Sequence, residues 1–464
     1  MTMFVVTLPS SASTQPRSFA ADAKKAGANV LEIRSDLTPV VPAFTSPLPI
    51  LLSIRGSEAA LLDVLKPEYI DLEASSEALD SLRSRCGKKS KLILSEHNYE
   101  KTPSLEELQA KVSSMLASKP WAVKIATKVV TYDDLITLHL LQDWLRKKNV
   151  RSIVLGMGEK AHCSRLLSPL RNVMTFSSLD GHEASTVGQL PLSLYRLTKG
   201  RKAPKIFGIL GGKQILSSLS PVIHNALFQK HKIDALYSCF PTEQFKRTVK
   251  TLKKFGLTGL SVTAPFKGDA FQFSKKHDPS VDALGVANTL VKSGKGWKGF
   301  NTDVAGIEYG YPELKKATMV SILGAGGVVP SAIAAVRRSN PKAHITVFAR
   351  DKKKASHALK KFHVAIEPLA SVLFSKADAV LCTVTQDVSL PLPLPASKSS
   401  FAIDLRYGKR TAFLQDAEKK GYRVRDGVPM LLHQALRQFE CFTGKKASPG
   451  DIAYLQSVLK SFIS

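Results

Sequence analysis

Lys124 stands inside an apolar run, WAVKIAT, where a strand would put Ala122 and Ala126 on its own face. A lysine facing inward among small side chains must be solvated, paired or deprotonated. Desolvation and nearby cations (Arg34, Arg55 and Arg165 are the candidates) both favour the neutral amine, the form that condenses with a carbonyl compound. Read alone, Lys124 is better taken as snorkelling outward from a misassigned strand. His97, in SEHNYEKTP, ends another apolar run. Glu32 with Arg34, and Ser53 with Arg55, share faces by the two-residue strand period. For Glu32 and Arg34, substrate contact and a structural ion pair are equally open. A second set of chemistry-bearing residues follows much later. In ILGAGGVVPSA, Gly324, Ala325, Gly326 and Gly327 separate a strand from a helix, and glycines there let a backbone approach a pyrophosphate. The third fingerprint position is Val329 instead of Gly or Ala. Taken singly, Lys267 is a loop lysine and Asp303 a helix N-cap.

The elements that must position these residues can be read from hydrophobic runs. Phe4–Leu8, Val30–Arg34, Ile50–Arg55, Tyr69–Glu73, Leu92–Ser95, Ala122–Ala126, Ile153–Gly156 and Val173–Ser177 make eight short strands, most of them separated by helix-like stretches. That count predicts an α/β fold whose first part is a closed (β/α)8 barrel, with its chemistry at the C-terminal strand ends. TPVVPAFTSPLP, after the second strand, is too proline-rich for a full helix. Residues 198–204 (TKGRKAP) read as a linker. Beyond it, strand–helix alternation resumes, TMVSILGAGG to ITVFAR has the form of a Rossmann βαβ unit, and 430–464 reads as two amphipathic helices.

Composition narrows the function. Of 464 residues, 66 are Lys or Arg and 38 Asp or Glu, a formal charge of +28, with 44% hydrophobic and 22% charged residues. This balance excludes a disordered chain. The basic residues are dispersed and not interleaved with aromatics, which speaks against nucleic acid as a partner and for small anionic substrates. No run is long enough to span a membrane. The start, MTMFVVTLPSS, reads as a strand and not as a targeting segment. Five scattered cysteines without CxxC spacing indicate neither a zinc site nor a disulfide framework, so the expected setting is the cytoplasm and no metal is expected.

LEIRSD, LSIRG, SEHNYEKTP, VKIAT, LGMGEKAHCSR and EASTVGQ, in that order, resemble the type I 3-dehydroquinate dehydratases over nearly all of residues 1–190, and the separation from His97 to Lys124 fits as well. The resemblance implies a domain over 1–198 in which Lys124 forms an iminium with the substrate ketone and His97 moves the protons. It also implies that Arg165 grips the carboxylate, that Glu32, Arg34 and Arg55 hold hydroxyls and charge, and that Ser185 and Gln189 bind substrate from the last loop. Glu58 lies one residue short of the family's acidic position and is a further candidate; Thr186-Val187 stand where Ala-Pro is usual.

SSLSPVIHN, LSVTAPFK, GVANTL, GFNTDVAG and DGVPMLLHQA are similar to motifs of the shikimate dehydrogenases, covering about 205–464. This resemblance implies a substrate domain over 205–303, completed by helices 430–464, and a Rossmann NADP-binding domain over 304–429. Lys267 and Asp303 would carry the proton transfer that accompanies hydride transfer. Ser218 and Ser220 would take the substrate carboxylate, and Thr263, Asn288 and Gln434 the ring hydroxyls, with Tyr407 near substrate and nicotinamide. Ser217 and Ser261 depart from a common His and Asn. Arg350 and Lys354, in ITVFARDKKK, favour a 2′-phosphate and hence NADP, whereas Asp351 keeps NAD open. The two resemblances imply consecutive reactions through 3-dehydroquinate, 3-dehydroshikimate and shikimate. A dehydrogenase acting on quinate with NAD is the nearest alternative, and a non-enzymatic basic scaffold or nucleic-acid-binding protein is the alternative from another class.

Overall fold

A computed structural model describes residues 2–55, 60–76, 79, 81, 90–408 and 410–463. All eight expected strands are present: β1 (Met3–Thr7), β2 (Val30–Arg34), β3 (Ile50–Ile54), β4 (Tyr69–Glu73), β5 (Lys91–Asn98), β6 (Ala122–Lys128), β7 (Ser152–Met157) and β8 (Met174–Ser178). A two-residue β9, Leu190–Pro191, adds to β8. The pairings are all parallel in the order β7-β6-β5-β4-β3-β2-β1-β8-β9. Val173 donates its N–H to Ser152 O, which brings β8 to β7 and curls the sheet round on itself.

The barrel interior changes character over one pleat step. Val5, Val30, Leu51, Tyr69, Ile93 and Ala122 belong to one buried apolar cluster. Two residues further along each strand, on the same face, come Thr7, Glu32, Ser53, Asp71, Ser95 and Lys124. All six are buried. An apolar floor therefore supports a polar layer at the C-terminal strand ends, where barrel chemistry is placed. The outer helices follow ordinary rules. Leu105–Ala117 starts at a capping box of Ser104 and Glu107 and buries Leu108, Val112 and Met115 along one stripe. Residues 38–49 contain no helix, as their prolines predicted.

Two further sheets follow. In the first, β10 (Lys205–Gly211), β11 (Ala235–Pro241), β12 (Leu257–Val262), β13 (Lys276–His277), β14 (Thr289–Ser293) and β15 (Gly296–Phe300) take the order β11-β10-β12-β14-β15-β13. In the second, six strands run from β16 (Met319–Leu323) through β17 (His344–Ala349), β18 (Ala365–Pro368), β20 (Ala379–Cys382) and β22 (Phe401–Asp404) to β23 (Arg423–Arg425), with β19 (Lys376–Ala377) and β21 (Leu394–Pro395) paired separately. Their order, β18-β17-β16-β20-β22-β23, is the 3-2-1-4-5-6 arrangement of a doubly wound dinucleotide fold. The chain ends in helices Val428–Thr443 and Pro449–Ile463. No described helix is long and apolar enough to cross a membrane.

Packing divides the chain into two compact units: Met1–Gly208 with Lys213–Pro221 and Phe228–Leu257, and Ile209–Gly212 with Val222–Leu227 and Thr258–Ser464. The sequence expectation divided the chain at residue 205. The segment Phe228–Leu257 falls in the barrel's unit because β11 is bonded to barrel helices: Tyr132 Oη donates to Pro241 O at 2.8 Å, and His162 Nδ1 lies 2.9 Å from Ser238 Oγ, both buried.

Candidate active sites

At the mouth of the barrel, Lys124 is nearly buried and its Nζ donates to Asp71 Oδ2 at 2.6 Å. Asp71 is wholly buried and also accepts from Arg55 Nη2, at 3.1 Å on its other oxygen. Burial alone would raise the Asp71 carboxyl, but Arg55 and Lys124 hold it well below the usual carboxylate range. The strand run had suggested an amine kept neutral by small neighbours and cations. The nitrogen is sheltered, lies 4.5 Å from the Phe176 ring centre, and is paired with a carboxylate two strands away that the run did not reveal. Asp71 was missed because its partner is non-local, 53 residues away.

His97 belongs to β5 and its Nδ1 lies 2.8 Å from Glu73 Oε2, while its backbone N–H donates to Glu73 Oε1 at 2.9 Å. Burial pushes the imidazole below its ordinary value; the Glu73 hydrogen bond opposes this and the Lys124 and Arg55 charges add to it. With Nδ1 engaged by a carboxylate, Nε2 is the nitrogen left to accept a proton. Glu73 is the second residue that sequence reading missed. The YIDLE strand carried the signal, since Asp71 and Glu73 share a face by period two.

Glu32 and Arg34 form no ion pair with each other. Glu32 accepts from Thr7 Oγ1 at 2.6 Å and Ser53 Oγ at 2.7 Å, and Arg34 makes a two-point pair with Asp36 instead, Nη2 to Oδ2 at 2.6 Å. Asp36 lies just past the end of β2, where the chain has turned and its carboxylate comes within reach. Gln189 donates to Thr7 Oγ1 at 3.1 Å and accepts from both the backbone and hydroxyl of Ser185 at 2.8 Å. The last loop is thereby bonded to β1 and, through Thr7, to Glu32. Arg165, from helix His162–Leu167, is buried and donates Nε to Gly156 O at 2.7 Å. Glu32, Arg34, Arg55, His97, Lys124, Arg165, Ser185 and Gln189 line one cavity of about 550 Å³, its mouth included, with Tyr99 stacked on His97. Glu58 lies outside the described residues.

In the second unit, Lys267 opens helix Lys267–Phe273 and its Nζ donates to Asp303 Oδ2 at 2.6 Å. Asp303 is not the N-cap its position suggested. Thr302 holds that position, and Asp303, the first residue of helix Asp303–Gly310, spends its other oxygen on Asn288 Nδ2 at 2.8 Å. Asn288 is itself held, accepting from Thr302 N at 2.8 Å. Asn301, missed in the sequence, accepts from Asp303 N and donates to Ser331 Oγ. Half-buried Thr263 precedes a cis Ala264–Pro265 bond. Gln434 lies on helix Val428–Thr443, and Gly306 permits the approach: a Cβ there would come within 2.8 Å of Gln434 Cβ. One turn on, Gln438, also missed, accepts from Ser261 Oγ and His224 Nε2 and donates to Thr289 Oγ1. Ser261 thus uses its hydroxyl to hold this helix. Tyr407 is half-buried after β22. Ser218 and Ser220, which belong to the first unit, are hydrogen-bonded to each other, 3.1 Å between hydroxyls, at the head of helix Ser220–Lys230.

The glycine loop follows β16, at the point where the strand order reverses. Gly324 has φ +108°, and a Cβ there would meet Thr383 Oγ1 at 2.5 Å, so only glycine fits. Ala325, Gly326 and Gly327 are exposed, and nothing lies within 4 Å of a Cβ at Gly326. This open backbone leads into the eleven-residue helix Val329–Ser339, the arrangement a pyrophosphate requires. A Cβ at Gly327 would lie 4.0 Å from Lys267 Cδ, which puts the loop beside the lysine. Arg350 and Lys354 are exposed past β17. Asp351, the residue that kept NAD open, caps the following helix by accepting from Lys354 N at 2.9 Å.

Comparison with known proteins follows the same division. Residues 4–196 match the family described as type I 3-dehydroquinase, 210–290 the shikimate dehydrogenase substrate binding domain, and 427–452 the shikimate 5′-dehydrogenase C-terminal domain. A chloroplastic bifunctional 3-dehydroquinate dehydratase/shikimate dehydrogenase of Arabidopsis thaliana is 28% identical, covering 92% of this chain and 79% of that protein. A shikimate dehydrogenase (NADP(+)) of Leptospira interrogans is 30% identical over 55% of this chain and 94% of its own length. A solved shikimate dehydrogenase in complex with NADP+ shares the fold, with a TM-score of 0.51 at 22% identity, covering 56% of this chain and 96% of that one.

Proposed function

The chain belongs to the shikimate dehydrogenase family, with a type I 3-dehydroquinase region ahead of that unit, and we propose that it catalyses two consecutive steps, from 3-dehydroquinate to 3-dehydroshikimate and on to shikimate. The observation that carries the reading is the Lys124 nitrogen enclosed in one cavity with His97 and three arginines. In the first step, neutral Lys124 attacks the substrate C3 ketone and water leaves to give an iminium. His97 Nε2 takes a C2 proton, and the released electron pair enters the iminium as an enamine. The enamine expels the C1 hydroxyl, which departs as water with the proton from His97, and hydrolysis frees Lys124. Arg165 holds the carboxylate, and Glu32, Arg34, Arg55, Ser185 and Gln189 hold the ring substituents, a set that the cavity lining supports.

In the second step the substrate lies with its carboxylate on Ser218 and Ser220 and its hydroxyls on Thr263, Asn288 and Gln434, near Tyr407. NADPH, when bound, supplies the hydride. Lys267 gives a proton to the ketone oxygen as it becomes an alcohol, and Asp303, 2.6 Å from its Nζ, orients it. Gly324 to Gly327 receive the pyrophosphate, and Arg350 and Lys354 the 2′-phosphate. The preference for NADP over NAD is supported by Asp351, whose carboxylate is occupied as a cap. The cytoplasmic setting expected from the cysteines, and the domain limits 1–198, 205–303 with 430–464, and 304–429, belong to the same proposal.

A coupled assay tests it. 3-Dehydroquinate with NADPH should consume the cofactor stoichiometrically and yield shikimate, faster than with NADH. Accumulation of 3-dehydroshikimate without cofactor use would remove the second step, and no loss of 3-dehydroquinate would remove the first.

A further inference from the structure

Arg165 is carried by a helix of six residues, His162–Leu167, too short to hold an orientation by itself. Its Nε is committed to Gly156 O, which leaves the two Nη groups for an anion in the cavity it lines. Contacts elsewhere on the helix must therefore set where those groups point. One is local: Ser164 Oγ accepts from Gly156 N at 3.1 Å and donates to Ala161 O at 2.8 Å, tying the helix to β7. The other comes from β11, far along the chain. His162, one turn before Arg165, is buried with Nδ1 2.9 Å from Ser238 Oγ and 3.4 Å from Cys239 N. A backbone N–H can only donate, so Nδ1 is an acceptor and the ring is the neutral Nε2–H tautomer. Burial, which pushes His162 down to about 4, keeps it so at neutral pH. Tyr132 Oη, bonded to Pro241 O, fixes the end of the same strand. A buried imidazole with two donors on one nitrogen acts as a peg, and the socket is made by residues outside the eight-stranded barrel.

We infer that His162, seated on Ser238 and Cys239 of β11, is a positioning residue for Arg165, so that a strand of the following sheet completes the anion grip of the first reaction. The inference rests on the reading that Arg165 holds the substrate carboxylate. It goes beyond that reading in assigning a function in the dehydratase step to residues 228–257.

The test uses the full chain and both activities. His162→Leu should raise KM for 3-dehydroquinate about tenfold with kcat within about twofold, the pattern of lost binding without lost chemistry. His162→Asn, whose Oδ1 can take the place of Nδ1, should return KM to within about threefold of the parent, and Ser238→Ala should raise it by about threefold as one of two donors is lost. Reductase constants should stay unchanged in all three. If His162→Leu does not fold, Ser238→Ala decides. An unmoved dehydroquinate KM in the folded variants, or an equal loss in both reactions, overturns the inference. Arg165→Lys separates the two layers. If it raises KM while the His162 and Ser238 variants do not, the positioning role fails alone; if it leaves KM unmoved, the reading of Arg165 fails first and takes the inference with it.

Discussion

The chain contains the same ion pair twice. Lys124 and Asp71 meet at 2.6 Å in the barrel, and Lys267 and Asp303 meet at 2.6 Å in the second unit. What differs is the other oxygen of each carboxylate. Asp71 divides its charge between Lys124 and the Arg55 guanidinium, and is itself fully buried. Asp303 shares its charge with a neutral amide, Asn288, and its lysine is more open, 14% exposed against 7%. A carboxylate already balanced by arginine loses less when its lysine gives up a proton and becomes a nucleophile. One whose only cationic partner is the lysine has no second positive charge to balance it. On the proposed function, one kind of residue pair would serve a covalent amine in one place and a proton donor in the other, and the third group is what differs between them.

The strongest way to break this comparison is to remove each lysine. Lys124→Ala should lower dehydratase kcat by about 10⁴-fold or more, as loss of a covalent nucleophile does, and leave the reductase unchanged. Borohydride with 3-dehydroquinate should leave a reduced adduct on Lys124 by peptide mass mapping; an adduct on another lysine would end the assignment. Lys267→Ala should lower reductase kcat by about 10²- to 10⁴-fold, the range of one general acid, with NADPH Kd within about twofold by fluorescence titration. A parallel loss of NADPH affinity would make Lys267 part of the nucleotide cradle, which its closeness to Gly327 makes the alternative worth measuring.

The carboxylates sharpen the contrast. Asp71→Asn leaves Lys124 and Arg55 facing each other without a buried anion, and should cost about 3 kcal/mol or more of stability. Asp303→Asn breaks a pair that is less enclosed and leaves only one cation behind, and should cost about 1.5–3 kcal/mol. Thermal unfolding followed by calorimetry reads both. Equal losses would mean that Arg55 contributes nothing to the difference between the sites.

Much of this was readable before any coordinates. The inward lysine, the strand-end histidine and the glycine loop followed from local spacing, because strand period and turn chemistry are properties of short segments. Asp71, Glu73, Asn301 and Gln438 were not read. The shared face of Asp71 and Glu73 was legible in YIDLE, but their partners Lys124 and His97, like the Ser331 partner of Asn301 and the Ser261 partner of Gln438, are brought close by the fold and are not marked by spacing within a segment. Arg34 shows the converse: its face was read correctly and its partner was not, because Asp36 reaches it only after the chain leaves the strand. Likewise nothing in YSCFP announces that Ser238 and Pro241 bond to barrel helices.

The smallest effect concerns the imidazole, which only the barrel site has; neither Lys267 nor Asp303 meets a histidine among the described residues. His97 must be neutral to take the C2 proton. Its pKa is pushed below 6.5 chiefly by burial, with Lys124 and Arg55 adding to the push, while Glu73 pulls the other way. The neutral fraction of such a group falls only when pH drops past the lowered value, so the acid limb of dehydratase kcat/KM should lie below pH 6.5. Removing the opposing carboxylate must lower it again: Glu73→Gln should move the limb a further ~0.5–1 pH unit down, the size of a single charge or hydrogen-bond change at a partly solvated site. The reductase profile of the same variant should not move. An acid limb that disappears in the variant would mean that Glu73, and not His97, is the group being titrated, and the proton-transfer assignment in the barrel would pass to the carboxylate.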